Sequence, residues 1–171
     1  REKTSNLLQG YIEQNIPITF ISKIISEINE AITIKVIELS LEEMDKQPPV
    51  KFGWLALGSQ GRKEQLLMTD QDNALVFEDV SPDKYQPTKQ YFLQLAKKVT
   101  EKLNVIGFEY CPADMMASNP KWCLSLSEWK NQFDTWIKTP TEDAMMMCTI
   151  FFDYDLVYGD KKLVNQMTDS I

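Results

Sequence analysis

Trp54-Leu55-Ala56-Leu57-Gly58-Ser59-Gln60-Gly61-Arg62-Lys63-Glu64-Gln65, continuing through Met68-Thr69-Asp70-Gln71-Asp72-Asn73-Ala74-Leu75-Val76-Phe77, is the stretch that decides the fold. Phe52 to Leu57 is short, apolar and aromatic and stops at a glycine, which predicts a buried strand; Asn73 to Phe77 predicts a second. The polar residues Gly61 to Leu67 between them suit a turn or short helix. Gly58, with no Cβ, lets the backbone approach a ligand closely. Ser59 offers a hydroxyl and a free N–H where a helix would start, and exposed N–H groups at the positive end of a helix dipole favour phosphate. Asp70 and Asp72 are two apart, so on a strand both carboxylates point to one side. Two like charges that close are costly unless a cation lies between them. An all-oxygen ligand set suits Mg²⁺, which fills its other positions with water and substrate phosphates. Arg62 and Lys63 can neutralise a triphosphate. Together these residues suit in-line transfer at an α-phosphate, with metal clamping the attacking and leaving oxygens.

Plainer roles stand beside these. Asp70 and Asp72 would also serve as an Asx turn entering a strand, Ser59 as a helix N-cap, and Arg62 as a partner of Glu64. Other phosphate and metal motifs fail residue by residue. A Walker A loop requires Gly where Lys63 stands, and a dinucleotide fingerprint requires a third glycine that is absent. An EF-hand opening at Asp70 would put Leu75 at the obligatory Gly and Ser81 at the bidentate Glu.

Upstream, Phe20, Ile21, Ile24, Ile25, Ile28, Ala31, Ile32, Val36 and Leu39 recur three and four apart, predicting an amphipathic helix from Pro17 to about Met44. A shorter helix over Ser5 to Gln14 precedes it, and Gln47-Pro48-Pro49 breaks the pattern. Downstream, a helix from Thr88 to Leu103 buries Phe92, Leu95, Ala96, Val99 and Leu103, and Val105 to Tyr110 reads as a third strand. Ser125-x-x-Glu128 and Thr139-x-x-Glu142 both fit the capping box, predicting helices over Leu126–Ile137 and Pro140–Leu156. Trp122, Trp129 and Trp136, seven apart, suit one packed face, and Met145 to Met147 suit filling of core gaps. Three segments follow: a helical lead-in over 1–47, a sheet-bearing core over 48–124, and a helical region over 125–171. The strand–helix–strand–helix–strand order implies an α/β unit with helices packed on a sheet.

Composition narrows the chemistry. The chain has 171 residues, 18 Lys+Arg against 25 Asp+Glu, a net charge of −7, and no histidine. Ser-His-Asp and Cys-His catalysis, histidine metal sites and histidine proton shuttles are therefore excluded. Cys111, Cys123 and Cys148 form neither a C-x-x-C pair nor an even set, so no disulfide framework or zinc ribbon is readable. An acidic chain without a basic patch argues against a nucleic-acid partner. No apolar run reaches the length of a membrane span, and no signal segment opens the chain. The start at Arg1 and the polar finish read as a piece of a longer protein.

Gly58-Ser59, a ten-residue spacer and Asp70-x-Asp72 resemble the signature of the nucleotidyltransferase (DNA polymerase β-like) superfamily. The fuller string Leu57-Gly58-Ser59-Gln60-Gly61-Arg62-Lys63-Glu64-Gln65 with Thr69-Asp70-Gln71-Asp72-Asn73-Ala74-Leu75 resembles one bacterial branch of it. That branch is the nucleotidyltransferase family related to the PII uridylyltransferase GlnD (the domain-of-unknown-function 294 type). Cys111-Pro112 to Met116-Ala117-Ser118-Asn119-Pro120-Lys121-Trp122 and Ile150-Phe151-Phe152-Asp153 to Gly159-Asp160 resemble its later blocks. The resemblance implies an α+β fold, with a small mixed β-sheet flanked by an N-terminal helical segment and C-terminal helices. It implies an NTP, ATP or UTP, bound through Mg²⁺, with Asp70 and Asp72 as metal ligands, and Gly58, Ser59 and Arg62 as nucleotide contacts. The superfamily's third catalytic carboxylate falls best on Asp114, with Glu109 as the fallback. The acceptor, a protein or otherwise, is open. The setting implied is a cytoplasmic bacterial signalling protein carrying CBS or cyclic-nucleotide-binding domains. Two alternatives stand: a non-catalytic nucleotide sensor, and a plain helical interaction module in which the two aspartates would face away from Ser59.

Overall fold

Why residues 52–56 and 73–77 become the centre of the molecule follows from their burial on both faces. In the computed structural model, which describes residues 2–58 and 70–171, β1 (Phe52–Ala56) and β2 (Asn73–Phe77) are buried at every position. They pair antiparallel, with Trp54 opposite Leu75. β3 (Cys123–Ser125) joins β2 in parallel and β4 (Asp155–Gly159) joins β1 antiparallel, giving a mixed sheet of order β3-β2-β1-β4. Six helices are described: α1 (Glu2–Glu13), α2 (Ile18–Glu42), α3 (Pro82–Ile106), α4 (Leu126–Lys138), α5 (Glu142–Phe151) and α6 (Lys161–Thr168). The fold is α+β.

Strand alternation divides the core in two. On one face Phe52, Trp54, Leu75, Phe77 and Cys123 meet Val36 and Ile37 of α2 and Phe92, Leu95, Ala96, Val99 and Leu103 of α3. On the other, Leu55, Ala74, Val76 and Leu124 meet Trp129, Phe133 and Trp136 of α4, with Phe151 of α5 and Leu163, Val164 and Met167 of α6. Trp122 stacks on Trp129 with ring centroids 6.3 Å apart. The Trp129 indole N–H donates to the Leu75 carbonyl at 3.0 Å, giving a buried donor its partner. The three tryptophans pack together in the core, but not on one helix face as their spacing suggests, since Trp122 sits in a short 3₁₀ turn, Pro120–Trp122, ahead of the helix.

Several local expectations are corrected. Val105 to Tyr110 is not a strand: α3 continues to Ile106, and Gly107 closes it at φ +111°. Phe108 N–H then reaches back to Leu103 O at 2.9 Å, and Phe108 is buried. Such a closure needs a left-handed residue, which glycine supplies without strain. α5 ends at Phe151 and not at Leu156, because residues 155–159 are drawn into the free edge of β1. The cap of α5 is Thr141, whose hydroxyl accepts from Ala144 N–H at 3.1 Å, so the second predicted box begins two residues too early. The face of α2 is rotated from the predicted stripe. Phe20 is 52% exposed, while Ser26, Asn29, Thr33 and Ser40 are buried. Thr33 and Ser40 tolerate burial because their hydroxyls donate to Asn29 O and Val36 O one turn back, each at 2.8 Å. Met145 and Met146 are exposed and fill no core gap.

Candidate active site

The site grows from the four residues that carry the chain into β2. Gln71 and Asn73 are turned inward, 2% and 3% exposed, whereas Asp70 is exposed and Asp72 half-buried. This is the two-residue alternation of extended chain. The inward pair anchors the segment. Gln71 Nε2 donates to Thr100 O of α3 and to Phe108 O, at 2.9 and 3.0 Å. Asn73 N–H donates to Met115 O at 3.1 Å, and Asn73 Oδ1 accepts from Ala117 N–H at 2.7 Å. On the other flank Leu57 N–H donates to Asp72 O at 3.1 Å, which holds the end of β1 against the second aspartate.

Burial pushes the Asp72 carboxyl above the ordinary carboxylate range; a hydrogen bond from the Cys111 thiol opposes this, and the charge of Asp70 adds to it. Burial likewise pushes the Cys111 thiol up, so Cys111 stands as S–H, the form that donates. Ionised Asp72 therefore carries an electrostatic burden that a cation would relieve. Two carboxylates form an all-oxygen donor set of the kind a hard divalent cation prefers. Among the described residues, no group of three or more Cys, Asp or Glu side chains stands close enough to hold a metal ion.

The remaining predicted residues fall as follows. Gly58 adopts φ +59°, and a Cβ built on it meets nothing within 4 Å among the described residues, one residue beyond Leu57. A side chain there would be strained by conformation rather than by crowding. Ser59 and Arg62 lie outside the described residues, as do the predicted helix Gly61 to Leu67 and Lys63. Glu109 forms an isolated parallel bridge with Asp70, and its carbonyl accepts from Gln71 N–H at 2.8 Å. It is thus the chain neighbour of the first aspartate. Asp114 is exposed, in the left-handed conformation at φ +55°, within a turn closed by its N–H to Cys111 O at 2.9 Å. With Cys111 and Tyr110 it lines one side of a groove of about 1050 Å³, whose other wall is α3 at Gln94, Lys97 and Glu101. Cys111 was visible in the sequence only as an unpaired cysteine and as the start of a block resembling the family. Nothing local in the chain signals that it meets Asp72.

The mixed sheet and its flanking helices define an α+β domain, with Asp70 and Asp72 entering β2 and the left-handed Gly58 leaving β1. The family described as "Putative nucleotidyltransferase DUF294" matches residues 2–143, and the chain belongs to that family. A search of curated proteins gives no match. No helix among the described residues is long and apolar enough to cross a membrane.

Proposed function

We propose that this domain transfers a nucleotidyl group from ATP or UTP to a hydroxyl acceptor, with Asp70 and Asp72 holding Mg²⁺ and Gly58, Ser59 and Arg62 contacting the nucleotide. The observation that carries the proposal is the pairing of Asp70 with Asp72, the second burdened by burial and by the charge of the first, next to the open backbone at Gly58. Bound Mg²⁺ would supply neutralisation of the phosphates and of the charge that develops in the transfer. The acceptor oxygen bonds to the α-phosphorus, the bond from that phosphorus to its bridging oxygen breaks, and pyrophosphate leaves with the electron pair. Asp114 takes the acceptor's proton, and Glu109, whose backbone bridges Asp70, is the other candidate for this role. Gly58 keeps the strand end clear of side chain, and the ties of Gln71 and Asn73 keep the two aspartates facing outward.

A second reading is a nucleotide sensor that binds without transferring. It is favoured by the lack, among the described residues, of a third acidic side chain close to the pair. The family resemblance supports a cytoplasmic bacterial signalling protein with CBS or cyclic-nucleotide-binding modules in either case. Titration calorimetry with ATP and with UTP, each with Mg²⁺, tests the shared core of both. Wild type binds one of them only with the metal, and Asp70→Asn/Asp72→Asn abolishes that binding. Metal-dependent binding that survives the double substitution overturns the assignment. Pyrophosphate release on addition of an acceptor, lost in Asp114→Asn or Glu109→Gln, separates the transferase from the sensor.

A further inference from the structure

Gln71 lies between the two aspartates in sequence and on the opposite side of the chain from them. Its three donors are all spent on one neighbouring region: Nε2 on Thr100 O and Phe108 O, and the backbone N–H on Glu109 O. Both partners of Nε2 are carbonyl oxygens, so the amide has one workable orientation, since a flip would set its oxygen against two acceptors. In that orientation Oε1 is buried and has no partner among the described residues. The orphaned Oε1 is a cost set against the two bonds of Nε2, since an apolar side chain here would take this donor from the Thr100 and Phe108 carbonyls. What the amide adds is direction. Two bonds from one nitrogen fix the segment 70–72 both along its axis and in rotation, against the last turns of α3 and the chain that follows.

We propose that Gln71 is the positioning residue of the metal site, holding Asp70 and Asp72 in the register in which both carboxylates meet one cation. This rests on the reading of those aspartates as metal ligands. The segment benefits from such a device, because ahead of β2 its backbone ties among the described residues are sparse, the Asp70–Glu109 bridge on one flank and Leu57 N–H on Asp72 O on the other. A small slide or roll of the chain there would move both carboxylates at once.

The test is Mn²⁺ uptake, read by electron paramagnetic resonance of free Mn²⁺, in wild type, Gln71→Met and Val164→Ala. Val164 is buried in α6 on the other face of the sheet and serves as a control for lost stability. Gln71→Met weakens Mn²⁺ binding at least about tenfold, the scale typical of outer-shell partners of metal ligands. Val164→Ala lowers the thermal midpoint yet leaves Mn²⁺ affinity within about twofold, as expected for a distant site. If Gln71→Met does not fold, Gln71→Asn, whose shorter amide cannot span both carbonyls, carries the same expectation. A Gln71 variant that binds Mn²⁺ as wild type does overturns this inference alone. A wild type that takes up no Mn²⁺ overturns the metal-site reading and this inference with it.

Discussion

Asp72 illustrates how a single carboxylate is set against the fold that carries it. Its pKa is raised by burial and by Asp70, against the Cys111 hydrogen bond, so the folded state holds the proton more tightly than the unfolded chain does. Stability from this group is therefore complete below the unfolded carboxylate range and is lost as pH rises through the raised value. At pH 7 the ionised group opposes folding. Asp72→Asn should accordingly raise the metal-free thermal midpoint at pH 7, while abolishing metal uptake. The gain should shrink as pH falls toward 4. A midpoint that drops at pH 7 would mean that Asp72 is held by stabilising contacts instead. At this scale only local cues were legible. Gly58, Asp70 and Asp72 stood out as candidates by type and spacing. Cys111 and Gln71 did not, because their partners lie tens of residues away: Thr100 is 29 residues from Gln71, and that encounter exists only once α3 has packed.

Elements whose ends are written locally were legible, and those completed by distant pairing were not. The Ser125–Glu128 capping box of α4 forms reciprocally, with Glu128 N–H on Ser125 Oγ at 3.3 Å and Ser125 N–H on Glu128 Oε1 at 3.1 Å. The second oxygen of Glu128 accepts from Tyr85 of α3 at 3.0 Å, and burial together with this bond pushes the Tyr85 hydroxyl up to about 12. Ser125→Ala should thus cost about 1 kcal/mol. Glu128→Ala should cost more, because it severs the link between α3 and α4 as well as the cap; urea unfolding of both variants measures the difference. Equal losses would show that the Tyr85 contact adds nothing. By contrast, Asp155–Gly159 reads as a continuation of α5 until the open edge of β1 claims it. Val105 to Tyr110 has the composition of a strand, yet Val105 is 87% exposed on the last turn of α3. Helix persistence to Gly107 won there over a weak β preference.

Across the whole molecule, a sheet buried on both faces fixes where the chemistry stands. α2 and α3 cover one face and α4, α5 and α6 the other, so the ends of the strands are where backbone meets solvent, and the candidate site is built at one of them. The chain leaves β1 through the left-handed Gly58 and re-enters the sheet through Asp70 and Asp72, with the crossing segment after α3 laid alongside. Helices packed on a sheet were legible from the alternation of apolar runs and amphipathic stretches, whereas the α+β layout with a mixed sheet came from the family resemblance. The order β3-β2-β1-β4 was not legible, since register and partner choice are long-range properties. The central claim is that Asp70 and Asp72 share one divalent cation. Its most direct measurement is an anomalous difference map from crystals grown with Mn²⁺ and a non-hydrolysable NTP analogue. A peak between the Asp70 and Asp72 carboxylates, with nucleotide phosphate against Gly58, is the predicted result. Two carboxylates turned apart, with Mn²⁺ and nucleotide bound elsewhere or not at all, would contradict it.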